Sequence, residues 1–455
     1  MKTKIKKLTS KTKDKQVSAK ANRRKHRQKI HRQAPKIDHH NFEVKEEKCK
    51  MAKTFFGEKV KNHSYYSAIM TLALILYSET NMSLRDIETV LHLFIQQMKI
   101  NTKSPDHSTV DYWVKKAGIK AIKTFDEKEA CVLIYDESIT FNGKKLFLVL
   151  AVPLSFSEQQ EPLRFEDCHL VYLGAKKGWT GEIIHNELAP IVSNMHVQYI
   201  LSDKGSNLIK AAELLCIPHI FDVTHEVART LKNLYEKDES YLNFIHWVGD
   251  IRKLLACGDY ADLAPPKVRS HCRFHQIGEY LKWVETIVHK LDHIAMNTRG
   301  AVQNLMNVHV HKDFISDLKA ITPMIKGVLK ICRSEGITTK SISKMNNLLT
   351  EVIREKPKKF ANQIYQYLLD MRKKYEGDIP FCCSAIIESV FGKYKSKMSK
   401  HPKKMFTNHM LTIPLFFIKE NEINELIHQF STVKVEDIKR PDAVEQAMQR
   451  ELLVA

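Results

Sequence analysis

The sequence predicts an α/β chain in which a mixed sheet is interrupted by a large all-helical section and preceded by a small helical module. Three observations predict this. Between residues 126 and 225, five short apolar runs alternate with helix-like stretches, the pattern of a sheet with helices covering it. Residues 226–380 carry helical periodicity almost throughout, broken at Pro265-Pro266 and at Gly336. Residues 61–125 show apolar helical stripes before any strand signal appears. A chain of 455 residues also exceeds one ordinary core, so about two to four domains are expected.

The first 36 residues hold fifteen Lys or Arg against one acid, Asp14, so +14 of the formal +20 sits there and +6 is left for the other 419 residues. Without apolar periodicity this stretch cannot bury a core, and residues 1–60 are expected to be a disordered basic tail with its linker. Attachment to a polyanion through counterion release is one reading, and a solvated solubility tail is another. An anionic membrane fits less well, because no apolar face accompanies the charge.

In the module 61–125, Tyr65 to Tyr77 forms one apolar-rich helix. Ser83 opens the next, with Asp86 three residues on as a variant capping box and Leu84, Ile87, Val90, Leu91 and Phe94 as its buried stripe. Pro105 interrupts the chain, and Ser108 is expected to cap a third helix carrying Val110, Trp113 and Val114. Two such helices resemble a helix-turn-helix, whose last helix enters the major groove. Thr109, Asp111, Tyr112, Lys115 and Lys116 would then meet bases or phosphates. A plain three-helix bundle fits the same residues.

Strands are expected at 131–136 and 145–152, joined through the hairpin signal Asn142-Gly143, and then at 168–173, 197–202 and 218–222. Helices at about 179–193 and 206–215 fall between the later strands, and another begins near Thr224. Three strands, helix, strand, helix, strand is the order of the ribonuclease H-like fold. On that reading 126–225 is the first part of the core, 226–380 a helical insertion, and 381–431 the last part, with an apolar run from Met410 to Ile418. Residues 432–455 are expected to be a loosely attached tail.

Three acids stand where a metal-dependent nuclease needs them. Asp136 ends the run Cys131 to Tyr135, Asp203 ends the run Val197 to Ser202, and Glu388 lies in the helical stretch 384–397. Carboxylates suit Mg²⁺, a hard ion that prefers oxygen ligands, and two such ions about 4 Å apart can serve both oxygens of an in-line displacement. Alternation turns Glu137 to the opposite face from Asp136. Asp167 and Asp222 are competitors, the latter at the end of the fifth strand. Glu388 and Lys395 are nearly two turns apart on one helix face, so Lys395 could meet a phosphate, with Lys393 and Lys397 alongside. His225 opens the helix after the fifth strand, where it could hydrogen-bond a catalytic acid or simply cap and pack.

On the segments YDES (135–138), ILSDKGSN (200–207), DVTH (222–225) and IESVFGKYK (387–395), the chain resembles the DDE transposases of bacterial insertion sequences. The Glu–six residues–Lys spacing at 388 and 395 is a recurrent signature of that superfamily, and Asp222 with His225 looks like its Asp-x-x-His motif. The resemblance covers about 130–400. It implies catalytic and metal-binding roles for Asp136, Asp203 and Glu388, with two Mg²⁺ ions and Mn²⁺ as a substitute. Asp222 and His225 would support those acids, and Lys393, Lys395, Lys397, Lys115 and Lys116 would bind DNA. The implied reaction is cleavage at the element's ends, followed by attack of a DNA 3′-OH on target DNA. Double-stranded DNA would be the partner, and a homo-oligomer on DNA the working form. The location would be the bacterial cytoplasm, at the nucleoid. Cys382, Cys383, Ser384 and Ala385 stand where some branches place Tyr and Arg, so no narrower family is assigned. Two other functions fit the same residues: a catalytically inactive DNA-binding descendant, or a structure-selective nuclease on the same fold.

Composition excludes other classes. No apolar run approaches the roughly 18 residues of a membrane span, and Met1 leads into lysines rather than a signal peptide, so a soluble, unsecreted chain is expected. Nine cysteines without a CxxC pair point to a reducing compartment. His271, Cys272 and His275 lack a second ligand pair at zinc-like spacing and read as ordinary residues.

Overall fold

Three helices open the described part of the chain: α1 (Ser67–Glu79), α2 (Leu84–Gln97) and α3 (His107–Lys120). The computed structural model describes residues 57–455, apart from 123–124, 126–128, 142, 160, 257–260, 269–273, 295–300, 351–352, 400–407, 441–442 and 455. The basic tail, Asn142, His271 and Cys272 thus lie outside the described residues. The capping box of α2 forms as expected: Asp86 N donates to Ser83 Oγ at 3.2 Å and Ser83 N to Asp86 Oδ2 at 2.9 Å. The cap of α3 is Asp106 rather than Ser108. Its carboxylate accepts from Thr109 N at 2.8 Å and from the Ser108 hydroxyl at 2.7 Å, which uses Ser108 as a donor.

Five strands follow: β1 (Ala130–Phe141), β2 (Lys144–Pro153), β3 (His169–Lys176), β4 (His196–Ser202) and β5 (His219–Phe221). They form one mixed sheet in the order β3-β2-β1-β4-β5. The β1–β2 and β2–β3 pairs are antiparallel, and β1–β4 and β4–β5 are parallel. Gly143 takes φ +74 in the hairpin between β1 and β2, a conformation glycine adopts without strain. β1 does not end at Asp136. Pairing with β2 carries it to Phe141, while pairing with β4 stops at Ile134, so Asp136 sits just past the point where β1 and β4 part.

Helices cover both faces. α4 (Gly181–Val192) and α5 (Ser206–Leu214) pack on the face that carries Cys131, Leu133 and Tyr135. The other face, with Val132, Ile134 and Leu148, meets the helical section: α6 (Val223–Tyr235), α7 (Glu239–Leu255), α8 (Ile277–Ile294), α9 (Ala301–Met306), α10 (Lys312–Glu335), α11 (Thr339–Leu349) and α12 (Glu355–Tyr375). Burial on both sides explains why β2 reads as an unbroken apolar run from Leu146 to Val152. No helix among the described residues is long and apolar enough to cross a membrane.

After the helical section, α13 (Ala385–Ser399) packs on β1, and α14 (Ile423–His428), α15 (Val435–Lys439) and α16 (Ala443–Val454) complete the chain. The segment past residue 431 is not a loose tail. Ile438 is fully buried, Val444 and Met448 nearly so, and α16 lies against β3. These late elements also enclose α3, which touches the 3-10 turns 408–412, 414–417 and 429–432 as well as α1 and α2. Gly118 allows that approach, since a Cβ there would stand 1.6 Å from the Leu411 carbonyl oxygen. Val110, Trp113 and Val114 are buried as expected, but of the residues expected to face a groove Lys115 and Lys116 are buried too, while Thr109, Asp111 and Tyr112 are half-buried. Residues 56–455 form one compact unit.

Candidate active site

The carboxyl ends of β1, β4 and β5 share one rim because the three strands are parallel, and the expected acids gather there. Asp136 lies on the Ile134 face of β1, toward the helical section, and Glu137 points the other way as alternation requires. Glu137 Oε1 accepts from Asn207 Nδ2 at 2.8 Å and from Lys145 Nζ at 3.3 Å. Asp203 follows β4 directly, and its Oδ1 accepts from Gly205 N at 2.8 Å, a turn that fixes the carboxylate ahead of α5.

Asp222 is the buried hub of the rim, 1% exposed. It caps α6 through Thr224 N at 2.5 Å and His225 N at 3.3 Å. Its second oxygen accepts from Ser384 N at 2.8 Å and from the Ser384 hydroxyl. Burial opposes its ionisation, yet His225 and Ser384 outweigh that and hold the carboxyl below the usual range. The segment before α13 is thus tied to the end of β5. A second tie is Tyr199 on β4, whose hydroxyl donates to Phe381 O at 2.8 Å and accepts from Phe381 N at 2.9 Å. These two contacts deliver Glu388 to the rim from 185 residues beyond Asp203.

His225 joins the acids. Its Nδ1 is 3.4 Å from Asp222 Oδ2, an ionic contact rather than an aligned hydrogen bond, and its Nε2 is 3.5 Å from Glu388 Oε1. Burial works against its charge, but Asp222, Glu388 and Asp203 together raise the imidazole to about 9, so it is a cation at neutral pH. Asp136 moves the opposite way from an ordinary carboxyl. Burial first, then the charge of Asp203, push it up to about 8, with Glu388 adding to the rise and His225 opposing it. Glu388 is also raised by burial, against the pull of His225, Arg333 and Lys395, although half of its side chain faces solvent. A cleft of about 370 Å³ opens beside these groups, lined by Asp203, Lys204, His225, Arg229, Phe274 and His275 among others.

Among the described residues no group of three His, Cys, Asp or Glu stands ready-placed around a metal position. The donor types nonetheless fit a hard divalent cation, since three carboxylates converge and burial, with the charge of Asp203 added to it, keeps Asp136 from ionising easily in the absence of a counter-charge. Compared with known protein families and with curated protein sequences, the chain matches none.

The expected DNA-facing lysines divide. Lys395 is exposed, seven residues beyond Glu388 on α13. Lys393 is half-buried, with its ammonium over the rings of Phe165 and Phe416 at 5.0 and 4.8 Å. Lys397 does not face solvent: it is 4% exposed and donates to Tyr77 O at 2.5 Å and Thr80 O at 2.6 Å, closing the C-terminal end of α1. Lys115 pairs with Asp111 at 2.5 Å, and Lys116 donates to Phe430 O at 3.1 Å. These three are structural cations, kept inside because carbonyls or a carboxylate receive each ammonium. Ser384, Tyr199 and Lys204 were missed by sequence reasoning. Only the adjacency of Lys204 to Asp203 could have signalled one of them, since the partners of Ser384 and Tyr199 lie more than 160 residues away.

Proposed function

We propose that this protein is a transposase of the DDE type, cutting and joining DNA strands with divalent metal ions on a ribonuclease H-like core. The observation that carries the reading is the convergence of Asp136, Asp203 and Glu388 around His225, where β1 and β4 part. The sheet order β3-β2-β1-β4-β5, antiparallel then parallel, supports the ribonuclease H-like assignment, with α6–α12 as the insertion before the last acid.

Asp136, Asp203 and Glu388 would hold the ions, Mg²⁺ or Mn²⁺ in its place. Bound there, such ions supply Lewis-acid polarisation of the phosphodiester and lower the pKa of an attacking oxygen. The chain's own residues do the rest. Asp222 and Ser384 fix the start of α13, the protonated His225 turns its Nδ1 toward Asp222 and its Nε2 toward Glu388 and so orients the latter, and the open side of Glu388 admits a duplex. Lys204 and Arg229, two cations that share the one carboxylate of Glu226 at the cleft, and Lys395 beyond Glu388 leave net positive charge where a phosphate backbone would lie. Action as a homo-oligomer on paired DNA ends belongs to the same reading.

The test is nicking of a plasmid carrying the gene with its flanking DNA, in Mg²⁺ and in Mn²⁺. Asp136→Asn is expected to abolish cleavage while duplex binding persists, and unchanged cleavage rejects the assignment. Products divide the neighbouring readings. Joined strands support a transposase, free nicked ends a structure-selective nuclease, and binding without scission by the unmodified protein an inactive DNA-binding descendant.

A further inference from the structure

The helix α10 carries an unneutralised basic stripe. Lys312, Lys319, Lys326, Lys330 and Arg333 are all exposed. At about 100° per residue they fall within an arc of about 60° on the helix surface that holds no acid, flanked on one side by Ser316, Pro323 and Gly327. The three acids of the helix point elsewhere and are engaged: Asp313 and Asp317 with Arg354, and Glu335 with Lys344 at 2.6 Å. Among the described residues none of the five cations forms an ion pair, whereas Lys204, Arg229, Lys344, Lys356 and Lys359 all do. Lys326, Lys330 and Arg333 stand at four- and three-residue spacing, where like charges destabilise a helix, so an anion over that end would relieve the repulsion.

The stripe has a direction. Arg333 lines a small cavity together with Ala385 and Ile386, in the first turn of α13 and one turn before Glu388. The opposite end, Lys312, is 21 residues away, about 31 Å along a helix axis. That is close to one turn of B-form DNA, about 34 Å. We propose that this face of α10 is a docking surface for the phosphate backbone of double-stranded DNA, leading the duplex across the helical section to Glu388. The partner is chosen by charge complementarity, by length, and by where the stripe ends. This deepens the reading above and rests on DNA being the substrate.

The experiment measures binding of a 30-bp duplex of arbitrary sequence to the full chain by fluorescence anisotropy, across a salt series. The variant replaces Lys319→Gln, Lys326→Gln and Lys330→Gln together. A matched control replaces the exposed Lys340→Gln, Lys358→Gln and Lys373→Gln, which lie on α11 and α12. Each phosphate contact contributes about 0.9 to the slope of log K against log salt, so the stripe variant is expected to lose about 2.7 while the control keeps its slope. An unchanged slope in the stripe variant, an equal loss in both variants, or no duplex binding by the unmodified protein overturns the proposal. Far-ultraviolet circular dichroism checks that both variants fold. The nicking assay is scored separately: a chain that binds along α10 but never cuts leaves this surface standing and removes the transposase reading.

Discussion

Tyr199→Phe tests how the last acid reaches the sheet. The Tyr199 hydroxyl is fully buried and exchanges two hydrogen bonds with one residue, donating to Phe381 O at 2.8 Å and accepting from Phe381 N at 2.9 Å. The substitution removes one oxygen and keeps the ring against Tyr375, so packing changes little. It leaves a buried amide and a buried carbonyl unpaired, at roughly 1–3 kcal/mol each, and a loss of about 2–4 kcal/mol is expected. Urea unfolding reads this as a lower midpoint at an unchanged slope. The same variant should weaken plasmid nicking, because residue 381 lies in the segment that leads into α13, seven residues before Glu388. A stability change under about 0.5 kcal/mol would show that the contact is not an anchor, since surface-type substitutions lie within that range. A full stability loss with undiminished nicking would show that the anchor does not position Glu388.

Other perturbations follow the same logic. Lys397→Met leaves the carbonyls of Tyr77 and Thr80 without their donor, so stability should fall by about 1–3 kcal/mol while duplex affinity stays constant; the reverse pattern would return Lys397 to the DNA surface. His219 is buried against Ser202, and burial with the Lys374 charge lowers its pKa to about 4. The unfolded chain then binds more protons than the folded one below pH 6.5, so stability is intact above that value and falls as pH drops toward 4, by up to about 3 kcal/mol. His219→Gln should flatten that acid limb in unfolding midpoints taken at pH 7 and pH 5, and an identical limb would exclude His219 as its source. Gly118→Ala forces a methyl group against Leu411 O, where a Cβ would stand at 1.6 Å, and should cost about 1–3 kcal/mol by the same assay; a neutral result would mean that α3 and the 408–412 turn yield freely.

The sequence made legible what depends on near neighbours. The capping box at Ser83 and Asp86, the hairpin glycine at 143, and the alternation that separates Asp136 from Glu137 all rest on contacts within a few residues. The misread residues share one trait. Lys115, Lys116 and Lys397 look like surface cations because nothing nearby in the chain shows that they are covered. Lys115 hides beside Asp111 inside a bundle whose outer wall is built by residues beyond 408, and the others meet carbonyls about 314 and 320 positions away. The tail after residue 431 misled for a similar reason: its short helices bury Ile438 and Val444 only because α3 and β3 supply the opposing surface.

Local patterning alone indicated the five strands, the helices between them and the position of Asp136 and Asp203 at the ends of apolar runs, since periodicity and turn chemistry act over a few residues. Tertiary structure alone decided that the acids meet, that His225 becomes a cation among them, and that a stripe of α10 forms no ion pair among the described residues. Those outcomes depend on burial and on Coulomb interactions between segments that only folding brings together.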